Sequence, residues 1–96
     1  MNASVSLQVL PGIEEGKLFS VVDKVIHYIK STRVNYEVGP FETTMEGDLH
    51  ELLVIVEKCQ HICVEAGASY SFSNVKIIFN PKGVATIDEK VKKHRE

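Results

Sequence analysis

The 96-residue sequence predicts an α+β domain with the element order β-α-β-β-α-β-α. Three observations carry that prediction. Residues 4–10 alternate strictly between polar and apolar; two long stretches carry apolar residues at helical spacing; and between them two short alternating runs meet at Gly39-Pro40. We treat residues 1–96 as one domain, because a chain of this length fits one and shows no linker, internal repeat or low-complexity segment.

Each element has its own signal. In Ser4-Val5-Ser6-Leu7-Gln8-Val9-Leu10 the period of two puts Val5, Leu7 and Val9 on one face and Ser4, Ser6 and Gln8 on the other, and Pro11-Gly12 ends the strand. From Glu15 to Ser31 the apolar residues Leu18, Val21, Val22, Val25, Ile26 and Ile29 form an amphipathic helical stripe, with His27 at its boundary. Val34, Tyr36 and Val38 alternate with Asn35 and Glu37 in a second strand. Gly39-Pro40 turns the chain, and Glu42-Thr43-Thr44-Met45-Glu46 pairs back as a hairpin closed by Gly47. Asp48 with Glu51 reads as a capping box, and the stripe Leu49, Leu52, Leu53, Val56, Cys59, Cys63, Ala66 runs to Gly67, a natural C′ residue. Residues 70–80 form the last strand, with Val75, Ile77 and Phe79 expected inward and Asn74, Lys76 and Ile78 opposite. Thr86 and Glu89 open a short C-terminal helix with Ile87 and Val91 free to pack. Two right-handed βαβ crossovers joined by a hairpin make a ferredoxin-like βαββαβ sandwich, both long helices on one sheet face, with a short C-terminal helix added.

Size and composition narrow the function. A domain of this length buries roughly 60–65% of its unfolded surface, enough for one thin core, so a ligand site is expected as a shallow groove or one completed by a second copy. Apolar residues are 44% and charged residues 25% of the chain, ordinary values for a folded domain. No apolar run is long enough to span a bilayer, and the start lacks the pattern of a signal peptide, so the expected address is the cytoplasm. Net charge is −2, against nucleic-acid binding. The one basic cluster, Lys90, Lys92, Lys93 and Arg95, is interleaved with Asp88, Glu89 and Glu96 and reads as a solvated helix face. Cys59 and Cys63, four apart on a helix, read as buried free thiols; His61 points away from them, so no metal site is expected.

The sheet face opposite the helices should carry Ser4, Ser6, Gln8, Asn35, Glu37, Thr44, Lys76 and Ile78. Short hydrogen-bonding groups dominate, as suits a small ligand or a partner surface. Other uses of this fold are a poor match. RNA-recognition domains need aromatics on the central strands, where the first strand has Ser4, Ser6 and Gln8. Acylphosphatase-like enzymes need an arginine in an anion cradle after the first strand, where this chain has Pro11-Gly12-Ile13-Glu14-Glu15. No nucleophile stands beside an evident base, so no catalytic residue is assigned.

Leu7-Gln8-Val9-Leu10-Pro11, the hairpin from Tyr36 to Asp48, and Val75-Lys76-Ile77-Ile78 together resemble the small thiamine-binding protein family over nearly the whole chain. The family hairpin reads Tyr-Glu-x-x-Pro-x-Gly-Thr-x-x-Glu-Gly, matched by Tyr36, Glu37, Pro40, Thr43, Glu46 and Gly47. Glu42 stands in place of the glycine, a change expected to alter the local backbone and to narrow or charge the groove, and Asn80-Pro81-Lys82-Gly83 replaces an Asp-x-Arg element after the last strand. The resemblance implies a homodimer or homotetramer built through sheets that binds thiamine or its hydroxymethylpyrimidine part without chemistry, as a carrier, buffer or sensor, and without a further cofactor. Chemically, Glu37 or Glu46 suits the thiazolium cation or the pyrimidine amino group. Thr43, Thr44, Ser6 and Gln8 offer hydroxyl and amide contacts, and Tyr36 or Phe41 a ring to stack on. Strict alternation puts Thr43 and Glu46 on opposite faces unless a bulge re-aims one. The alternatives are a self-assembling module without a ligand and, ranked last, a thiamine-salvage enzyme with Glu46 or Glu37 as general base.

Overall fold

The structure, a computed structural model, describes residues 1–95. Its elements are β1 (Ala3–Pro11), α1 (Glu15–Ser31), β2 (Asn35–Val38), β3 (Thr43–Gly47), α2 (Leu49–Glu65), β4 (Ser71–Phe79), α3 (Ile87–Val91) and a 3₁₀ turn, Lys92–His94. The four strands form one antiparallel sheet in the order β2-β3-β1-β4, the ferredoxin-like arrangement.

The expected end signals work as local chemistry. The Asp48 carboxylate accepts from the Glu51 backbone N–H at 3.3 Å, and the Thr86 hydroxyl accepts from the Glu89 N–H at 3.0 Å. Both satisfy donors that a helix start leaves unpaired. Gly67 ends α2 at a φ of +109°, a conformation L-residues with a side chain rarely adopt.

The register sorts side chains by face. On one face the rows Tyr36–Met45–Val5–Ile77 and Val38–Thr43–Leu7–Val75 cross the sheet under the helices. Val5, Leu7 and Met45 pack there against Val21, Val25 and Ile29 of α1 and Leu52, Ile55, Cys59 and Cys63 of α2, forming a single core cluster. On the other face the rows are Asn35–Glu46–Ser4–Ile78 and Glu37–Thr44–Ser6–Lys76, with Gln8 opposite Asn74 beyond them. This is the polar face read from the sequence.

Two departures have physical reasons. Val75, Ile77 and Phe79 do point toward the helix side, yet all three stay substantially exposed, because β4 is a sheet edge with one neighbour. The opposite face is not fully open either: α3 returns across it, so Ser4 and Ser6 are buried although they face away from the long helices. Among the described residues, no helix is long and apolar enough to cross a membrane.

Cys59 and Cys63 are free thiols in the core. Burial, with a smaller contribution from Cys63, pushes the Cys59 pKa up to about 12. Folding therefore favours the neutral thiol, and that stabilisation is lost as pH rises from the ordinary thiol range toward the raised value. Since the thiolate is the reactive form, iodoacetamide at about pH 8 should leave both cysteines of the native protein unmodified, while denaturant should expose both. Rapid native labelling read by mass spectrometry would contradict this packing.

Candidate ligand-binding groove beneath the C-terminal helix

The two polar rows form the floor of a groove of about 330 Å³. Ser4, Ser6 and Thr44 contribute hydroxyls from β1 and β3; Glu37 stands on β2; Lys76 and Ile78 rise from β4. Ile87, Lys90 and Val91 of α3 form the opposing wall. The volume lies near the lower end of ordinary small-molecule sites, roughly 300–1,000 Å³. The mixture of apolar wall and convergent polar floor suits a flat heterocycle with hydrogen-bonding edges.

Two carboxylates anchor the C-terminal segment, one at the start of α3 and one beyond the 3₁₀ turn. At the start of α3, buried Glu46 accepts from the Ile87 backbone N–H at 2.7 Å and also accepts from the Asn35 side-chain amide. Beyond the turn, both oxygens of Glu37 accept from the two terminal guanidinium nitrogens of Arg95. Those hydrogen bonds, aided by the guanidinium charge and opposed by partial desolvation, hold the Glu37 carboxyl below the usual carboxylate range.

A third carboxylate spans the groove. Glu42 accepts from the Ser6 hydroxyl at 3.1 Å and pairs with Lys76 at 3.6 Å, tying the start of β3 across β1 to β4. The residue that departs from the family hairpin thus adds charge to the groove, as its chemistry suggests, and occupies two floor groups in doing so.

Of the residues singled out from the sequence, Ser6, Glu37 and Thr44 meet in the groove. Gln8 lies further along the same face, accepting from the Asn74 amide at 3.0 Å in a neighbouring depression that Phe41 and Glu42 also line. Glu46 is on this face but sits beneath the start of α3, its carboxylate engaged by Asn35 and Ile87. Tyr36 and Thr43 face the helices: Tyr36 packs against the core, and Thr43 is buried beside Leu7. No bulge re-aims Thr43, since the β2–β3 and β1–β3 pairing is regular through it.

Sequence reasoning did not place α3 over this face, nor Lys90 and Arg95 at the groove. The basic cluster carries no signal of where it folds back, although the apolar pair Ile87 and Val91, four apart, marks a helix face that needs a partner.

With this geometry described, comparisons with known proteins identify the family. The pattern of the thiamine-binding protein family matches residues 5–95, so the chain belongs to that family. It is 58% identical over 94 residues to a UPF0045 protein of Clostridium perfringens, covering 98% of each chain. Among solved structures it resembles a domain of unknown function from Bacillus cereus, with a TM-score of 0.91, 42% identity, and coverage of 100% of this chain and 92% of that one. It also resembles a candidate thiamine biosynthesis/salvage protein of Thermotoga maritima, with a TM-score of 0.88, 36% identity, and coverage of 99% and 100%.

Two outcomes follow from the carboxylates. In Glu46→Ala the Ile87 N–H loses a charged acceptor, so stability should fall by about 1–3 kcal/mol, with faster amide hydrogen exchange in α3 than in α2. Uniform acceleration across both helices would show that Glu46 has no particular role in holding α3. For Glu37 the folded pKa is depressed, so the Arg95 pairing is complete above the ordinary carboxylate value and is lost as pH falls through the lowered one. A carboxyl-resolved NMR titration should place the Glu37 midpoint below the ordinary glutamate range and return it there in Arg95→Gln. An unchanged midpoint in the variant would refute the assignment.

Proposed function

We propose that this chain binds thiamine or its hydroxymethylpyrimidine part in the groove between the sheet and α3, without transforming it. The observation that carries the proposal is the Glu37 carboxylate at the end of a hydroxyl-lined floor, facing an apolar wall, in a member of the thiamine-binding family. A carboxylate there complements the permanent thiazolium charge. Ser4 and Thr44 donate to or accept from ring nitrogens, and Ile78, Ile87 and Val91 offer apolar contact to a ring face.

A binding role without chemistry is the simpler use of these groups. Glu37 and Glu42 are engaged by cations and Glu46 by two N–H donors. Among the described residues, neither histidine nor cysteine lines the groove, and the hydroxyl and ammonium that stand beside Glu42, from Ser6 and Lys76, are taken up in pairing with it. A carrier, buffer or sensor acting in the cytoplasm fits this inventory.

The same reading includes a homodimer or homotetramer. β4 is a nine-residue edge strand, and Tyr70, Phe72, Ile77, Ile78 and Phe79 on and beside it are each at least half exposed. Long apolar edges are prone to pair with another chain. Lys76 and Ile78 of the same strand line the groove, so a second copy docked there would border the ligand.

Thiamine should raise the melting temperature of the purified protein in a dose-dependent way, and light scattering should give a mass at least twice that of one chain. No shift at millimolar thiamine or hydroxymethylpyrimidine would count against ligand binding; a monomeric mass would count against the assembly.

A further inference from the structure

We propose that Arg95 is the charge gate of the groove: its guanidinium holds Glu37, and a cationic ligand binds by taking that carboxylate from it. The proposal rests on the ligand reading above and identifies the residue that sets the site's response to ligand charge.

Two of the groove's carboxylates already have cationic partners within the chain. Glu42 is shared between the Ser6 hydroxyl and Lys76. Glu37 is held at both oxygens by Arg95. A thiazolium cation therefore meets no free carboxylate at Glu37. It gains that attraction only by exchange, and the affinity it shows is reduced by the pairing it breaks. A neutral pyrimidine has no comparable exchange to make.

The geometry makes Arg95 the group that moves. Its side chain is more than half exposed, so once released the guanidinium is solvated without needing a buried partner. It follows the 3₁₀ turn, whereas α3 is fixed separately by the Ile87–Glu46 hydrogen bond, so Arg95 can leave while the apolar wall stays in place. Its planar fork takes both oxygens of Glu37, a two-point grip that a lysine cannot make. Left beside a bound cation, it would repel it. The basic cluster that resembles a plain solvated surface in the sequence thus puts Lys90 in the groove wall and Arg95 on the groove's Glu37.

The test is calorimetric titration of the wild-type protein, Arg95→Gln, Glu37→Gln, the double variant and Lys93→Gln with thiamine, a cation, and with hydroxymethylpyrimidine, which is neutral. Arg95→Gln should bind thiamine about two- to fivefold more tightly, the range to which an exposed ion pair converts, with hydroxymethylpyrimidine unchanged. Lys93→Gln, which removes a nearby charge that does not touch Glu37, should tighten thiamine much less. In the Glu37→Gln background the Arg95 substitution should tighten thiamine no more than Lys93→Gln does. In the wild-type protein, the Arg95 side-chain NMR signal should move toward its free position as thiamine is added.

If wild-type protein binds thiamine but Arg95→Gln binds it equally or more weakly, the gate is wrong and the binding function stands. Equal tightening for both ligands would make Arg95 a steric cover, and equal tightening by Lys93→Gln would make the effect one of overall charge; either overturns the gate. Binding of thiamine by none of the proteins overturns both proposals together.

Discussion

The structure depends on the position of β1 between β3 and β4. A strand with hydrogen-bonded neighbours on both sides has two faces to satisfy and no edge, and its period of two assigns alternate residues to them. Ala3, Val5 and Leu7 enter the helix-packed core, while Ser4 and Ser6 floor the groove. A register slip of one residue would put hydroxyls in the core and aliphatics in the groove, so the stability of the domain and the chemistry of its site rest on the same pairing.

The second organising feature is that the groove's carboxylates are internally matched. Glu46 orients the start of α3, Glu42 ties Ser6 and Lys76 together, and Glu37 holds Arg95. Carboxylates placed near an apolar wall are costly without partners, and here each has one within the chain. The three differ in what they can release. Glu46 is buried under a backbone N–H whose loss would unseat α3, so its role is architectural. Glu37 is paired with an exposed side chain at the end of a short segment, so its partner is replaceable. A position that looks like the binding carboxylate by its place in the hairpin can therefore be structural, while the one two strand positions earlier in the cross-sheet rows is accessible.

The elements were legible because each is specified locally. Alternation in β1, the apolar stripe of α1, the Asp48 and Thr86 caps and the left-handed Gly67 all act within a few residues. The polar face followed from the same alternation, which is why Ser6, Glu37 and Thr44 could be brought to one site from sequence. Alternation also separated Thr43 from Glu46, and the regular hairpin keeps them apart. The return of α3 was not legible: Ile87 contacts Glu46 across 41 residues and Arg95 reaches Glu37 across 58, and neither partner leaves a periodic mark. Read without that return, Lys90 and Arg95 are surface charges. With it, they belong to the rim of a groove.

β4 shows what local pattern leaves open. Val75, Ile77 and Phe79 lie on one face and Phe72 and Ile78 on the other, so the strand carries apolar residues on both faces. Such a pattern suits burial on both sides, and one chain supplies neither a second strand beside it nor a complete cover over it. Burying apolar area is favourable at roughly 25 cal/mol per Å², so half-exposed Phe72, Ile77, Ile78 and Phe79 on one strand favour a partner that shares the edge. A second copy carries the same strand and meets the requirement by symmetry. Because Lys76 and Ile78 belong both to that edge and to the groove, the pressure that favours association acts on the wall of the site itself. In the proposed function, ligand and partner are therefore linked through one strand rather than through two separate surfaces.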